Sequence, residues 1–476
     1  MTNILRIQNV SSWLHSSDKE LKNELHQKLR FRDEGYYYSP AFKSGKWDGY
    51  KNFFDFKSGM FFTGLLPEVL HKLRELNKPF EVVDERGEAI QWNYKSIDEN
   101  FLNPWLPEGH DPITLHDYQP DLVNKALRFR RGIIQAPTSA GKTFIMISLL
   151  KCLPPNTPTL FLTKNKQLVK QNFDHMRNWK IPDVGRWYDK FKEPNLVTCA
   201  NINVHTLKSL EELLPKFKAL IVDEVHEGVS DVPISAYKKM KSASVRIGVS
   251  ATPYKDQKIH KFTVKSHFGA IFKTETTPTG YLTTKDLQER GILAKSVCVF
   301  YPINSPDISY EPYMDAVTLG IAENFHFHKV IRKLSNSLKG RTLILVERRD
   351  QGEYLKQLMP NAHWINGDDD VESVRQPVIN ALCKAKDVTA IVMRQIITAG
   401  IDIKIHNLIN AAGGDADHNI IQQIGRGLRC ASDKEILRFY DFVFNINPYL
   451  HKHSNNRIRT LTKQGHEVIV KTELDF

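Results

Sequence analysis

The stretch Ala136-Pro137-Thr138-Ser139-Ala140-Gly141-Lys142-Thr143 constrains the fold of this chain more than any other. It follows the apolar run Ile133-Ile134-Gln135 and opens a helical pattern from Lys142 to Leu153. A strand, a turn of small residues and a helix, in that order, make a phosphate-binding loop. Backbone N–H groups turn inward on the anion, and the positive end of the helix dipole adds to them. In this reading Pro137, Thr138, Ser139, Ala140 and Gly141 form the cradle, Lys142 reaches the β- and γ-phosphates, and Thr143 holds Mg²⁺. Ala136 stands where such loops usually begin with glycine, so the Gly-Lys-Thr end and its strand–loop–helix setting carry the assignment. The implied ligands are ATP and Mg²⁺.

From Ile113 onward, short apolar runs alternate with amphipathic stretches. Thr159-Leu160-Phe161-Leu162, Ala219-Leu220-Ile221-Val222 and Val245-Arg246-Ile247-Gly248-Val249 read as buried strands, and Lys166 to Trp179 as a helix among them. Such alternation predicts an α/β fold, a parallel sheet covered by helices on both faces. A Thr/Pro/Gly-rich segment, Thr274 to Gly280, reads as a hinge. The alternation then resumes with Thr342 to Val346, Ala390 to Met393 and Leu408 to Ala412. Before Asp111 the texture is different: rich in aromatics and lysines, and ending in a polar, proline-containing linker, Asn103 to Pro112. A length of 476 residues suits about three domains. The expected division is an accessory domain over 1–110, a first α/β lobe over 111–278 and a second over 279–476 with a C-terminal tail.

Further motifs gain chemistry from the phosphate loop. Asp223-Glu224-Val225-His226 directly follows an apolar run. An Asp at a strand end can hold Mg²⁺, and the adjoining Glu can orient or deprotonate an attacking water. Asp223, Glu224 and His226 are therefore candidate catalytic residues; alone, the run would read as a solvated acidic turn. Ser250-Ala251-Thr252-Pro253 offers small hydroxyl side chains at another strand end. On a helix, Gln422, Arg426 and Arg429 share one face, where two guanidinium groups can clamp charge developing on a phosphoryl group. Without the upstream loop these would be a solvated basic helix. Gly400 permits a tight backbone beside Asp402, which can engage a ribose or an arginine, and the Gln119 amide can read an adenine edge.

Composition narrows the class. A net charge of +12 suits a polyanionic partner, because released counterions favour binding. The five cysteines are scattered with no C-x-x-C pair, which argues against a zinc ribbon, an iron–sulfur site or a disulfide framework. Reduced, mostly buried thiols in a cytoplasmic protein are expected instead. Met1 to Asp18 carries no apolar signal core, and no run approaches the length that spans a bilayer, so no membrane partner is expected. The pairs His326/His328 and His451/His453 lack a third ligand at sensible spacing and read as solvated.

Taken in order, these motifs resemble superfamily 2 helicases of the DExH type, from Ile113 to about Phe444. On that resemblance Gln119 takes the adenine-reading position and Lys142 with Thr143 motif I. Thr163-Lys164 matches motif Ia, Thr206 motif Ib, Asp223 to His226 motif II, and Ser250 to Thr252 motif III. Thr398 to Asp402 is similar to motif V and Gln422 to Arg429 to motif VI. More narrowly, Pro137 to Thr143 and the stretch Gly35 to Gly49 resemble the UvsW-type branch-migration helicases of tailed phages. DEVH here replaces the DECH of some relatives, a change that leaves ATPase chemistry intact. The resemblance implies two tandem RecA-like lobes with parallel sheets and a small α+β N-terminal domain. It implies ATP in a cleft between the lobes, with Arg426 and Arg429 supplied from the second. Thr163, Lys164, Thr206 and Thr398 would touch the DNA backbone, sequence-neutrally. The implied activity is 3′-to-5′ unwinding and branch migration of forked, four-way or single-stranded DNA, in phage recombination, repair or replication. A monomer is expected, in the cytoplasm, which for a phage-encoded chain is the host's.

The N-terminal segment mixes Tyr36, Tyr37, Tyr38, Phe42 and Trp47 with Lys43, Lys46 and Lys51. Aromatic faces stack on bases and lysines track phosphates, so Lys43, Lys46 and Trp47 are candidate DNA contacts. Most of the rings are nonetheless expected to form the core of the small domain. Three other readings stay open: a double-stranded DNA translocase that does not separate strands, a structure-specific DNA-binding protein gated by its ATPase, and an RNA helicase.

Overall fold

The computed structural model describes residues 3–87, 90–254, 257–398, 403–415 and 436–476. The chain forms two compact units, Met1–Ala136 with Gly141–Leu282, and Thr283–Phe476 with Pro137–Ala140.

The first unit opens with a four-stranded sheet in the order β5-β2-β1-β6, where β1 is Asn3–Ile7, β2 Ser11–His15, β5 Met60–Phe62 and β6 Phe80–Asp84. A hairpin, β3 (Arg30–Arg32) with β4 (Tyr50–Asn52), stands apart from it. Leu5 and Leu14 from the sheet, Leu21 and Leu25 from the helix Lys19–Lys28, and Val69 and Leu73 from the helix Leu66–Glu75 close the core with Phe53, Phe54 and Phe61. None of Tyr36, Tyr37, Tyr38, Phe42 or Trp47 is in that core, contrary to the sequence expectation. Leucines spaced along two amphipathic helices already fill it, which leaves the Tyr-rich turn on the surface. This small domain is docked rather than tethered. Phe31 packs on Phe262 at 4.4 Å, Lys265 pairs with Glu68, and the Arg131 guanidinium donates to the carbonyls of Asn9 and His267.

The second sheet of this unit has seven strands, among the described residues, in the order β10-β9-β11-β8-β12-β13-β7. They are β7 (Arg131–Gln135), β8 (Thr159–Thr163), β9 (Val184–Tyr188), β10 (Phe191–Glu193), β11 (Val197–Asn201), β12 (Ala219–Asp223) and β13 (Val245–Ser250). All pairings are parallel except β10 with β9. Helices cover both faces, so the central strands carry continuous apolar runs. Arg246 breaks the run in β13 yet is fully buried. Its guanidinium donates to the carbonyls of Tyr237, Met240 and Ala243, satisfying the C-terminal end of the helix Asp231–Lys239. The expected hinge is tied down at Thr274, whose hydroxyl donates to Asp121 at 2.7 Å.

The second unit also has seven described strands, all parallel, in the order β16-β17-β15-β18-β19-β14-β20. They are β14 (Lys295–Ile303), β15 (Arg341–Val346), β16 (His363–Ile365), β17 (Val388–Met393), β18 (Asn407–Asn410), β19 (Ile436–Phe444) and β20 (Glu467–Val470). Phe327 of the helix Phe325–Ser337 meets Phe442 and Phe444 edge-on, and the C-terminal helix Pro448–Lys463 buries Arg457 against β19. The two-lobed α/β expectation holds.

His328 is not solvated, as the sequence suggested, but buried, with Nε2 facing the Ile321 carbonyl at 3.1 Å. Its helix turns that face inward beside Phe327. Burial pushes both His328 and His466 down to about 4. The unfolded chain takes up these protons near pH 6.5, the folded chain only near 4, so stability present above pH 6.5 is lost as pH falls towards 4. Each histidine contributes on the order of 3 kcal/mol to that loss. Hydrogen exchange of β14 and β15 peptides should accelerate on acidification from pH 7 to 5, and His466→Gln should flatten the dependence. Equal exchange at both pH values, after correction for the intrinsic rate, would exclude this origin.

Candidate nucleotide and nucleic-acid sites

Strand order assembles the site. Parallel strands present their C-terminal ends to one edge of a sheet, where open α/β folds bind ligands. β13 lies between β12 and β7, with Ser250 opposite Gln135 and Asp223 opposite Val249. Ser250 therefore stands between the loop that follows β7 and the acidic pair that ends β12. The Ala136 N–H donates to the Ser250 carbonyl at 3.1 Å, fixing where the loop begins.

The loop turns through two left-handed residues, Ser139 (φ 66°) and Gly141 (φ 76°), before the helix Lys142–Cys152. A Cβ at Gly141 would meet Gln119 Nε2 at 2.2 Å, so glycine is needed for space as well as for conformation. The Gln119 amide is buried: Oε1 accepts from the His116 N–H at 2.9 Å, and Nε2 donates to the Gly141 carbonyl at 3.5 Å. Gln119 thus braces the loop from the helix Tyr118–Phe129.

The charged centre is a chain of contacts. Lys142 Nζ donates to Glu224 Oε1 at 2.6 Å, and Ser250 Oγ donates to Glu224 Oε2 at 3.0 Å. His226, fully buried, places Nδ1 2.8 Å from Ser250 Oγ and Nε2 3.5 Å from Glu227 Oε1. Glu227 in turn accepts from Lys164 Nζ at 2.9 Å. Glu224 has left-handed backbone (φ 52°), a strained geometry held where the chain leaves β12. Burial opposes the Glu224 charge, but the Lys142 ammonium, then His226 and the bonds from Lys142 and Ser250, hold it below its ordinary value. Asp223 moves the other way. Burial first, then the Glu224 charge, push it up to about 6. At neutral pH it is a buried anion whose cationic neighbour is taken up by Glu224, which is a setting for a bound cation. Among the described residues no three His, Cys, Asp or Glu side chains converge as a metal site.

Residues expected on the strand side are placed unequally. Thr163 and Thr206 are buried, the Thr206 hydroxyl donating to Asn201 at 2.6 Å, whereas the Lys164 ammonium is at the surface, 44% exposed. In the N-terminal domain Lys43 and Lys46 are exposed, and the Trp47 indole N–H donates to the Tyr50 carbonyl at 2.7 Å. Arg30 lies over the Tyr50 ring at 3.9 Å and pairs with Asp48 at 2.6 Å, partly buried, while Arg32, over Tyr36 at 4.0 Å, is exposed. Tyr37 and Tyr38, 49% and 71% exposed, stand beside them with ring centroids 4.2 Å apart. Sequence reasoning missed Arg30, Arg32 and Glu227. The alternation of Arg with aromatics in Arg30-Phe31-Arg32 was a usable signal for the first two; nothing local marked Glu227. Thr398 ends the helix Arg394–Thr398. Gly400, Asp402, Gln422, Arg426 and Arg429 lie outside the described residues.

Residues 112–255 match the family model described as the type III restriction enzyme res subunit. Over 94% of this chain and 95% of the relative, the sequence is 23% identical to the ATP-dependent DNA helicase uvsW of Enterobacteria phage T4. The chain is similar to superfamily 2 helicases of the DExH type. It is also 24% identical to the DNA 3'-5' translocase XPB2 of Sulfurisphaera tokodaii, over 72% of this chain and 84% of that protein. Among solved structures, a fragment assigned to the HsdR subunit of a type I restriction enzyme from Vibrio vulnificus YJ016 aligns with a TM-score of 0.55. That alignment covers 79% of this chain and 71% of the other at 17% identity, a likeness of fold. No helix among the described residues is long and apolar enough to cross a membrane.

Proposed function

We propose that the chain is an ATP-dependent DNA helicase acting on branched DNA, forks and four-way junctions. The observation that carries this reading is the Lys142–Glu224–Ser250 arrangement beside a small-residue loop at the C-terminal edge of a parallel sheet. Lys142 and the loop N–H groups bind the phosphates, and Gln119 holds the loop beside the adenine. Thr143 and Asp223 hold Mg²⁺, whose contribution when bound is to neutralise phosphate charge. Glu224, kept anionic by Lys142, accepts a proton from the attacking water. Gln422, Arg426 and Arg429 of the second unit stabilise the charge that develops, with Gly400 and Asp402 near the nucleotide. Lys164, with Thr398, holds the strand backbone, while Thr163 and Thr206 are buried beneath that surface and shape it rather than touch the strand. Lys43, Lys46 and Trp47, with Arg30 and Arg32 beside them, engage the branch. The similarity to the phage protein named as an ATP-dependent DNA helicase, across nearly the whole chain, supports the helicase reading. Branched DNA, 3′-to-5′ movement, a monomeric state and the host cytoplasm belong to the proposal itself.

A double-stranded DNA translocase is the second reading, favoured by the similarity to the protein named as a translocase. One experiment separates them. With ATP, the wild type should resolve a synthetic four-way junction into forked duplexes, while Lys142→Ala binds the junction and leaves it intact. ATP hydrolysis on DNA without junction or fork processing would replace the helicase reading with the translocase one.

A further inference from the structure

Partly buried Lys142 and exposed Lys164, both in the first unit, are joined by buried chemistry. At one end Lys142 is held by Glu224; at the other Lys164 is held by Glu227. Between them run Ser250 and His226, through contacts of 3.0, 2.8 and 3.5 Å. His226 has no solvent exposure and touches both carboxylates, Glu224 with Nδ1 at 3.4 Å and Glu227 with Nε2 at 3.5 Å. His260 fixes its backbone, with Nε2 3.0 Å from the His226 carbonyl. A rigid, buried imidazole between two carboxylates makes their positions interdependent. The same Glu227 oxygen, Oε1, faces both His226 and Lys164, so what Lys164 does alters what His226 meets.

We infer that Glu227 is a positioning residue that reports occupancy of the nucleic-acid strand at Lys164 to the hydrolytic carboxylate Glu224. The inference rests on the proposed function, in which Lys164 meets the strand backbone. A phosphate arriving at Lys164 competes with Glu227 for the same ammonium. When Lys164 changes partner, Glu227 turns fully to His226, and His226 draws on Ser250. Glu224 then loses its bond from Ser250 and its alignment on Lys142, which leaves Lys142 for phosphate and Glu224 for water. Without a strand the Lys164–Glu227 pair holds the chain in the arrangement seen here, with Lys142 and Glu224 occupied by each other. The coupling needs no movement of a sheet strand, because every link is a side chain at the end of β8, β12 or β13, in the turn after β12, or, for Lys142, at the start of the helix that follows the loop after β7.

The test compares Glu227→Gln with Lys164→Gln in the full chain, measuring ATP hydrolysis against the concentration of a single-stranded oligonucleotide. Lys164→Gln releases Glu227 to His226 and should raise the strand-free rate several-fold, whereas Glu227→Gln removes the carboxylate that draws on His226 and should not raise it; both should shrink the stimulation ratio. They should also part in affinity. Glu227→Gln removes a competitor for Lys164 and should lower the half-stimulating oligonucleotide concentration, whereas Lys164→Gln removes the phosphate contact and should raise it. A residue that only supports the fold would lower the melting temperature and both rates together. Unchanged strand-free rates in both variants, or a fall in both, would overturn the inference. A wild type whose hydrolysis is indifferent to DNA would instead overturn the proposed function, so the two failures are told apart.

Discussion

Glu224→Gln should lower the kcat of ATP hydrolysis by about 10²- to 10⁴-fold while leaving nucleotide affinity within a few-fold of the wild type. The substitution keeps the shape of the side chain and an oxygen for the Ser250 hydroxyl, 3.0 Å away in the wild type. It removes the negative charge that Lys142 stabilises at 2.6 Å, and with it the capacity to take a proton from water. Glu224 suits that role better than Asp223. Asp223 is buried and Glu224 partly so, but the nearby ammonium holds Glu224 anionic below its ordinary value, whereas Asp223 is pushed up to about 6 and gains most from a bound cation. A split between kcat and KM is therefore diagnostic: Glu224→Gln should act on kcat, and loss of the Lys142 ammonium on both. Single-turnover hydrolysis with saturating ATP and DNA measures the chemical step directly. If Glu224→Gln kept more than a tenth of the wild-type rate there, Glu224 would not be the base.

Arg457→Met should destabilise the second unit by about 3–5 kcal/mol. Arg457 is a buried cation on the helix Pro448–Lys463, donating through Nε and NH2 to both oxygens of Asp441, at 2.7 and 2.9 Å. Asp441 is fully buried in β19, where it also accepts from Asn410 at 3.1 Å and from the Phe442 N–H at 2.7 Å. Removing the guanidinium leaves a buried carboxylate with neutral donors only. The cost is that of an unpaired buried charge rather than of the pair itself, so Arg457→Met with Asp441→Leu should recover most of the loss. Urea unfolding, with hydrogen exchange of β19 peptides, reads both. A double variant as unstable as the single one would show that packing, not charge, governs the site.

The phosphate loop, the acidic run after β12 and the alternation of strands with helices were all readable in the chain, because each is a local arrangement. The apolar runs from Thr159, Ala219, Val245, Thr342 and Ala390 became strands, and the helix from Lys142 begins where the loop chemistry required. A buried parallel strand needs a continuous apolar run and a phosphate loop needs small residues before a helix, so their signals lie within a few neighbouring positions. The N-terminal rings misled for the opposite reason. Burial is a competition among all apolar side chains of a domain, and leucines on two helices won the core that Tyr36, Tyr37 and Tyr38 were expected to fill.

What the sequence by itself determined is local: a loop of small residues between a strand and a helix, a carboxylate pair at a strand end and two mainly parallel α/β sheets. Tertiary structure alone decided which groups meet. Only the strand order β12-β13-β7 sets Ser250 between the loop after β7 and the acidic pair after β12, and only folding brings Lys164 to Glu227, 63 positions away, and Arg457 to Asp441. Those pairings depend on which strands lie side by side and which charges must be satisfied once buried, and neither is written in the spacing of neighbouring residues.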